Sequence, residues 1–271
     1  MNILSNKRIA RSGAGLALAV AIAIGTFLPV MRTSDMLTTQ PVAQNDQAVL
    51  VSDEYIHVDY ARKKLICEPK QNASTTARIE AWRMPAGGMK YWTNTASIPI
   101  YLDQGAVLSA IDVAAQTWLN AGAPSISSEG NADTAGSITD GKNTISFGIV
   151  PIDAVAAATM RVSNGVVVEA DIVLDAASLW ATNPTSAEGC SGVIGKFDVQ
   201  NILTHEFGHW VGAKHPRDEE KGDKWRTMYS EVAPGELHKR SLTTGDKNSI
   251  PADSSSSEFS GTVTRGGDDD G

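Results

Sequence analysis

The chain has 271 residues, enough for one large or two small domains, and a hydrophobic share of 42% can supply a substantial core. Its formal net charge is −8; residues 1–43 hold four Lys/Arg and one Asp, which leaves −11 on the remainder. An acidic body without a basic stripe argues against nucleic acid as a partner and offers nothing to anionic membranes.

In chain order, Lys7, Arg8 and Arg11 precede an uncharged run from Ser12 to Met31 rich in Ala, Leu, Val and Ile. This is the charged and apolar pattern of a secretory signal. The run also has the length of a bilayer span. Residues 1–31 are therefore read as a signal peptide or a signal anchor, with residues 12–31 as a membrane tether in the second case. Positive charge on the N-terminal side sends the rest outward either way, so the protein is expected to be exported, secreted or anchored outside the cytoplasmic membrane. Residues 32–76 are polar and weakly patterned, with a short apolar-charged stretch around Tyr55 to Cys67, and read as a linker or pro-segment.

From about residue 77 to 250 the pattern tightens into one domain. Ile98 to Leu102 reads as a strand in which Pro99 marks an edge or a start. Val107, Leu108, Ile111, Ala114, Ala115, Trp118 and Leu119 recur at helical spacing and predict an amphipathic helix ending near Gly122 and Pro124. A Gly/Ser/Asn/Asp loop from Ser125 to Asn143 then leads to a strand at Thr144–Val150. Thr159–Val162 and Val166–Val168 flank Asn164-Gly165, a dipeptide suited to a tight primed hairpin turn. Strand continues over Asp171–Leu174, and a second helix follows Asp198. Residues 251–271 read as a disordered acidic tail.

The chemistry concentrates at residues 205–215, His-Glu-Phe-Gly-His-Trp-Val-Gly-Ala-Lys-His. On a helix, His205 and His209 project from one face one turn apart. Gly212 lets the chain leave the helix and return His215 as a third ligand. Three imidazoles suit Zn²⁺ and leave one position open, the mark of a catalytic rather than a structural site. Glu206 adjoins the first ligand without being one, which suits a general base. With five His in the chain, this pattern would arise by chance with odds on the order of one in 100,000.

The motif resembles that of the metzincins, whose signature is His-Glu-x-x-His-x-x-Gly-x-x-His followed by a Met-turn. Thr227-Met228-Tyr229-Ser230 stands where that turn would be, with Met228 as an apolar floor beneath the imidazoles. Ala170 to Leu174, Trp180, Asp198 to Thr204 and Arg240-Ser241-Leu242 with Asp246 and Ile250 are similar to small bacterial matrixin-like enzymes, over roughly residues 77–250. The resemblance implies an α+β fold, with a twisted, mostly parallel sheet, one antiparallel edge strand, two long helices and a small C-terminal subdomain. It implies a zinc metalloendopeptidase acting on polypeptides, with His205, His209 and His215 on zinc and Glu206 as base. The edge strand, placed within Val168–Leu174, would hold an extended substrate by main-chain hydrogen bonds.

Two departures stand out. The remaining His, His57 and His238, cannot build the second zinc site of animal matrixins, and His238 is expected at the surface. Calcium could use Asp153, Glu169, Asp171 or Asp175. The inhibitory Cys motif is also missing, so Cys67 and Cys190 are expected to form a disulfide. A Cys67 latency switch and free or intermolecular thiols are the alternatives. Against the enzyme stands an exported zincin-fold binding protein without turnover. His215-Pro216 lacks the Glu expected of astacins, and the tail lacks serralysin-type repeats. Oligomeric state is left open.

Overall fold

The computed structural model describes residues 49–62, 64–67, 75–133, 135–136, 139–182, 192–217 and 223–251, all within the unit Asp46–Gly271. The signal segment, Cys190 and residues 252–271 lie outside them. Among the described residues no helix is long and apolar enough to cross a membrane.

The first element among the described residues is β1 (Val49–Val58), drawn from the stretch expected as linker or pro-segment. β2 (Met89–Thr93) is followed by a helical turn at Thr95–Ser97. Ile98–Leu102, expected as a strand, instead forms a turn closed by Leu102 N–H donating to Pro99 O at 2.9 Å. Pro99 has no N–H for a ladder, and Ile100 faces solvent completely. Asp103 then caps α1 (Gln104–Leu119), its carboxylate accepting from Ala106 N. Val107, Ala110, Ile111, Ala114, Ala115 and Trp118 form the buried stripe of α1.

The expected loop at Ser125–Asn143 contains a strand, β3 (Ile126–Asn131), whose residues after Ile126 are all exposed. Its signal was masked because only one apolar side chain points inward. β4 (Thr144–Gly148) and the hairpin strands β5 (Ala154–Ser163) and β6 (Val166–Asp175) follow. Asn164 and Gly165 adopt φ of 51° and 70°, the positive values of the predicted primed turn. Short β7 (Trp180–Ala181) and β8 (Phe197–Asp198) pair in parallel. Then come α2 (Val199–Val211), β9 (Glu231–Val232) and the five-residue helix α3 (Thr244–Asn248).

The main sheet is mixed and seven-stranded, in the order β3-β2-β4-β6-β5-β1-β9. The fold is therefore mixed α/β with few helices, compatible with α+β. β6 pairs with β4 in parallel and with β5 antiparallel, so Val168–Leu174 lies inside the sheet and is not the edge that was expected. The β-hairpin reverses β5, and β5 in turn carries β1 antiparallel on its other side. α1 packs on α2 and β3, while α2 packs on β1, β5 and β6. Trp118, Trp180 and Trp210 are fully buried in this core; burying a large apolar side chain contributes roughly 1.5–3 kcal/mol.

Candidate metal centre

α2 is buried on every side, so it must be fixed from several directions. Asp198 accepts from Asn201 N at 2.8 Å and caps its first turn. The same carboxylate takes both Arg240 Nε at 2.7 Å and Nη2 at 2.6 Å, a charge-assisted pair that ties the helix start to residues 238–240. Two indoles hold the helix backbone. Trp118 Nε1 donates to Thr204 O at 2.7 Å, and Trp82 Nε1 donates to His209 O at 3.0 Å.

The helix ends as the sequence predicts. Gly212 has φ 103°, and a Cβ there would lie 2.6 Å from Trp82 O, so both conformation and space demand glycine. Gly212 N and Ala213 N donate back to Gly208 O at 3.1 and 2.8 Å, closing the last turn. The chain leaving the helix is then caught by residues 78–80. Glu80 N donates to Gly212 O, Lys214 N donates to Arg78 O, and the Lys214 ammonium meets the Glu80 carboxylate at 3.1 Å. These contacts aim His215 back at the helix.

The three imidazoles converge. The Nε2 atoms of His205 and His215 are 3.1 Å apart, those of His209 and His215 3.1 Å, and those of His205 and His209 3.3 Å. A tetrahedral ion with nitrogens at about 2.0–2.1 Å would separate them by about 3.3–3.4 Å. The triad could therefore hold a metal ion. Burial pushes His205 and His209 well below the ordinary histidine range, and His215 down to about 3, with nearby Lys239 acting in the same direction. All three are thus held neutral, the form that binds metal.

His205 is oriented from behind. Its Nδ1 donates to Thr227 O at 2.6 Å, which leaves Nε2 as the ligand atom. Asp246 fixes that turn by accepting from Thr227 N at 3.0 Å and Met228 N at 3.2 Å. Asp246 is itself paired with buried Arg226 and closes a capping box with Thr243. Lys239 is fully buried and donates from Nζ to Thr227 O at 2.9 Å and to Tyr229 O. Burial lowers its ammonium to about 7, against the opposing pull of Glu236 and Asp246. Met228 is fully buried beneath α2. A Cβ on Gly208 would lie 2.2 Å from Met228 Sδ and 2.7 Å from Trp118, so only glycine at 208 leaves room for the methionine against α2.

Glu206 has no solvent exposure, and neither carboxylate oxygen has a hydrogen-bond partner. Burial, reinforced by the Glu54 carboxylate, holds it well above the usual carboxylate range. Glu54, on β1, was not among the sequence candidates. It groups with Glu80 and His209, their ligand atoms all within 4.8 Å of one another. Burial and Glu80 push Glu54 up to about 7. Only the fold brings these carboxylates here, from positions 54, 80 and 206.

No family model matches this chain, and neither does any curated protein. The site's case therefore rests on its own geometry.

Other expectations land elsewhere. His238, expected at the surface, is fully buried, because the 238–240 turn packs under α2 through Lys239 N and Asn201 Oδ1. Among the described residues, Asp153, Glu169, Asp171 and Asp175 form no group able to hold an ion. Glu169 accepts from Gly141 N and Asp171 from Thr144 N, bracing the loop before β4. Cys67 is disulfide-bonded; Cys190, the only other cysteine of the chain, lies outside the described residues.

Proposed function

We propose that the protein is an exported zinc metalloendopeptidase of the metzincin type, with His205, His209 and His215 holding one zinc and Glu206 serving as the general base. The observation that carries the reading is the convergence of three Nε2 atoms, together with a fully buried carboxylate on the same helix, Glu206, that makes no hydrogen bond. A carboxylate left in that state costs stability, so its placement calls for a functional partner.

When bound, zinc would supply Lewis acidity, polarising a peptide carbonyl and acidifying water. Glu206 Oε1 or Oε2 would accept the proton of the attacking water and return it to the leaving amine. The Thr227 carbonyl keeps His205 in one tautomer. Met228 and the buried wall around α2 limit imidazole motion and exclude bulk water. The disulfide at Cys67 fits an oxidising compartment outside the cytosol.

Elemental analysis of the purified chain should find close to one zinc per molecule, removable by chelator together with hydrolysis of a diverse peptide library. Stoichiometric zinc with no turnover in any form of the chain would favour a binding protein built on the same site. Two tightly held zinc ions would mean a further ligand set, most directly one that includes Glu54 and Glu80.

A further inference from the structure

A buried ammonium is costly unless it is paired, and Lys239 has no solvent exposure. The carboxylates that act on it most, Glu236 and Asp246, are engaged elsewhere. Glu236 holds Arg62 at 3.2 Å and accepts from Ile66 N at 2.7 Å. Asp246 holds Arg226 at 3.3 Å and accepts from Thr227 N and Met228 N. The Lys239 Nζ donates instead to three main-chain carbonyls, those of Arg226 at 3.5 Å, of Thr227 at 2.9 Å and of Tyr229. Three acceptors call for three N–H groups, so the nitrogen sits there as ammonium. The 226–229 turn is thus wrapped around a cation supplied from ten to thirteen residues further along the chain.

The same residue is fastened to α2. Lys239 N donates to Asn201 Oδ1 at 2.7 Å, and Asn201 lies four residues before His205, on the same face of the helix. Thr227 O accepts both from Lys239 Nζ and from His205 Nδ1 at 2.6 Å, which occupies both of its lone pairs. The N–H of the same peptide unit, Met228 N, donates to Asp246 at 3.2 Å. That peptide unit is therefore held at both ends, by a cation at its oxygen and an anion at its N–H. Asn201, Lys239, Thr227 and His205 form a ring of hydrogen bonds that closes along α2 itself.

We propose that Lys239 is a positioning residue of the candidate metal centre: by closing this ring it presets the His205 imidazole, Nδ1 bound to Thr227 O and Nε2 turned to His209 and His215, before any metal is present. This rests on the metal-binding part of the peptidase reading and not on turnover. The charge of Lys239 does not itself favour a metal, because like charges repel. What the residue contributes is geometry. Groups that orient a metal ligand from behind govern affinity, and their loss typically weakens metal binding by about 10–100-fold. Removing Lys239 would leave Thr227 O with His205 as its remaining donor and the turn without the cation it encloses. The imidazole could then tilt, and its Nε2 would leave the convergence of the triad.

The test uses the full chain as wild type, Lys239→Met and Lys239→Gln, with urea unfolding to establish that each is folded. Two quantities are read: the imidazole N–H signals of the zinc-free chain by nitrogen-15 NMR, and the zinc dissociation constant by competition with a coloured chelator. The wild type should show one exchange-protected Nδ1–H signal for His205 without zinc. Lys239→Met should lose that protection and bind zinc about 10–100-fold more weakly. Loss of the charge alone would tighten zinc binding, so the sign separates geometry from charge. Lys239→Gln keeps a neutral donor and should lie between the two, at least about threefold weaker than the wild type; it decides the matter alone if the Met variant fails to fold. A folded variant with the His205 signal unchanged, or with zinc bound as tightly as by the wild type or more so, would overturn the proposal. Weaker zinc binding with no peptide turnover in any chain would uphold Lys239 and sink the peptidase reading. Turnover in the wild type with unchanged zinc affinity in the folded variants would do the reverse.

Discussion

Strands β3 and β5, on opposite halves of the seven-stranded sheet, solve the same problem differently. At one end β3 buries Ile126 and exposes everything after it. The Lys90–Glu129 pair, at 2.5 Å, sits there with both side chains in contact with solvent. Charge and polarity blunt such an edge, and it needs no cover. On the other half β5 buries its first five residues, Ala154–Ala158, and could not lie bare beside the candidate metal centre without inviting another chain. The protein covers it with β1, a strand from its own N-terminal segment. The lesson is that one edge is finished by composition and the other by occupation.

The largest effect expected of this contrast is chemical. In a form of the chain that turns over peptide, Glu206→Ala should retain its zinc and lose turnover by about 10²–10⁴-fold. Glu129→Ala, at the β3 end, should leave turnover unchanged. Kinetics alongside elemental analysis check both; a Glu206→Ala chain retaining more than about a tenth of the rate would remove Glu206 from the role of base.

Next in size is the difference in stability between the two halves. Asp246→Ala leaves Arg226 buried beside an empty place and strips the 227–228 turn of its acceptor, a loss of about 3–5 kcal/mol. Breaking the exposed Lys90–Glu129 pair by Glu129→Ala should cost about 0–1 kcal/mol. Urea unfolding of the two variants would rank them, and equal midpoints would contradict the contrast.

The smallest effect is a pH dependence set by Asp171 in the middle of the sheet. Burial pushes its carboxyl up to about 7, against the hydrogen bond from Thr144 N. A raised acid favours the folded state while protonated. Its contribution is therefore complete below the ordinary carboxylate value and is lost as pH rises through about 7. The urea midpoint of the wild type should fall more between about pH 5 and pH 8 than that of Asp171→Asn. An identical fall in both would remove Asp171 as the cause.

Much of the candidate metal centre was readable because its determinants are local. The Asp198 cap, the four-residue spacing of His205 and His209, and the left-handed turn at Gly212 each depend on residues within one or two helical turns. The Asn164-Gly165 hairpin and the stripe of α1 are local in the same sense. Ile98–Leu102 misled because an apolar run beside Pro99 was weighed as a strand, whereas Asp103 was already starting a helix. β3 was missed because an exposed strand carries almost no hydrophobic alternation.

What the sequence determined by itself, then, was the set of candidate ligands and the short elements that present them, since helix periodicity and turn stereochemistry act over a few residues. Tertiary structure alone decided which groups surround that set. Lys239 and His238 became buried because the 238–240 turn packs under α2. Glu80 came to brace Lys214 through pairing across 134 positions, and Glu54 came to face Glu206 because β1 chose β5 as its partner. A polar segment carries no mark of which edge it will join. That choice is made by the free energy of covering an apolar edge with backbone hydrogen bonds, which exists only once the sheet is in place.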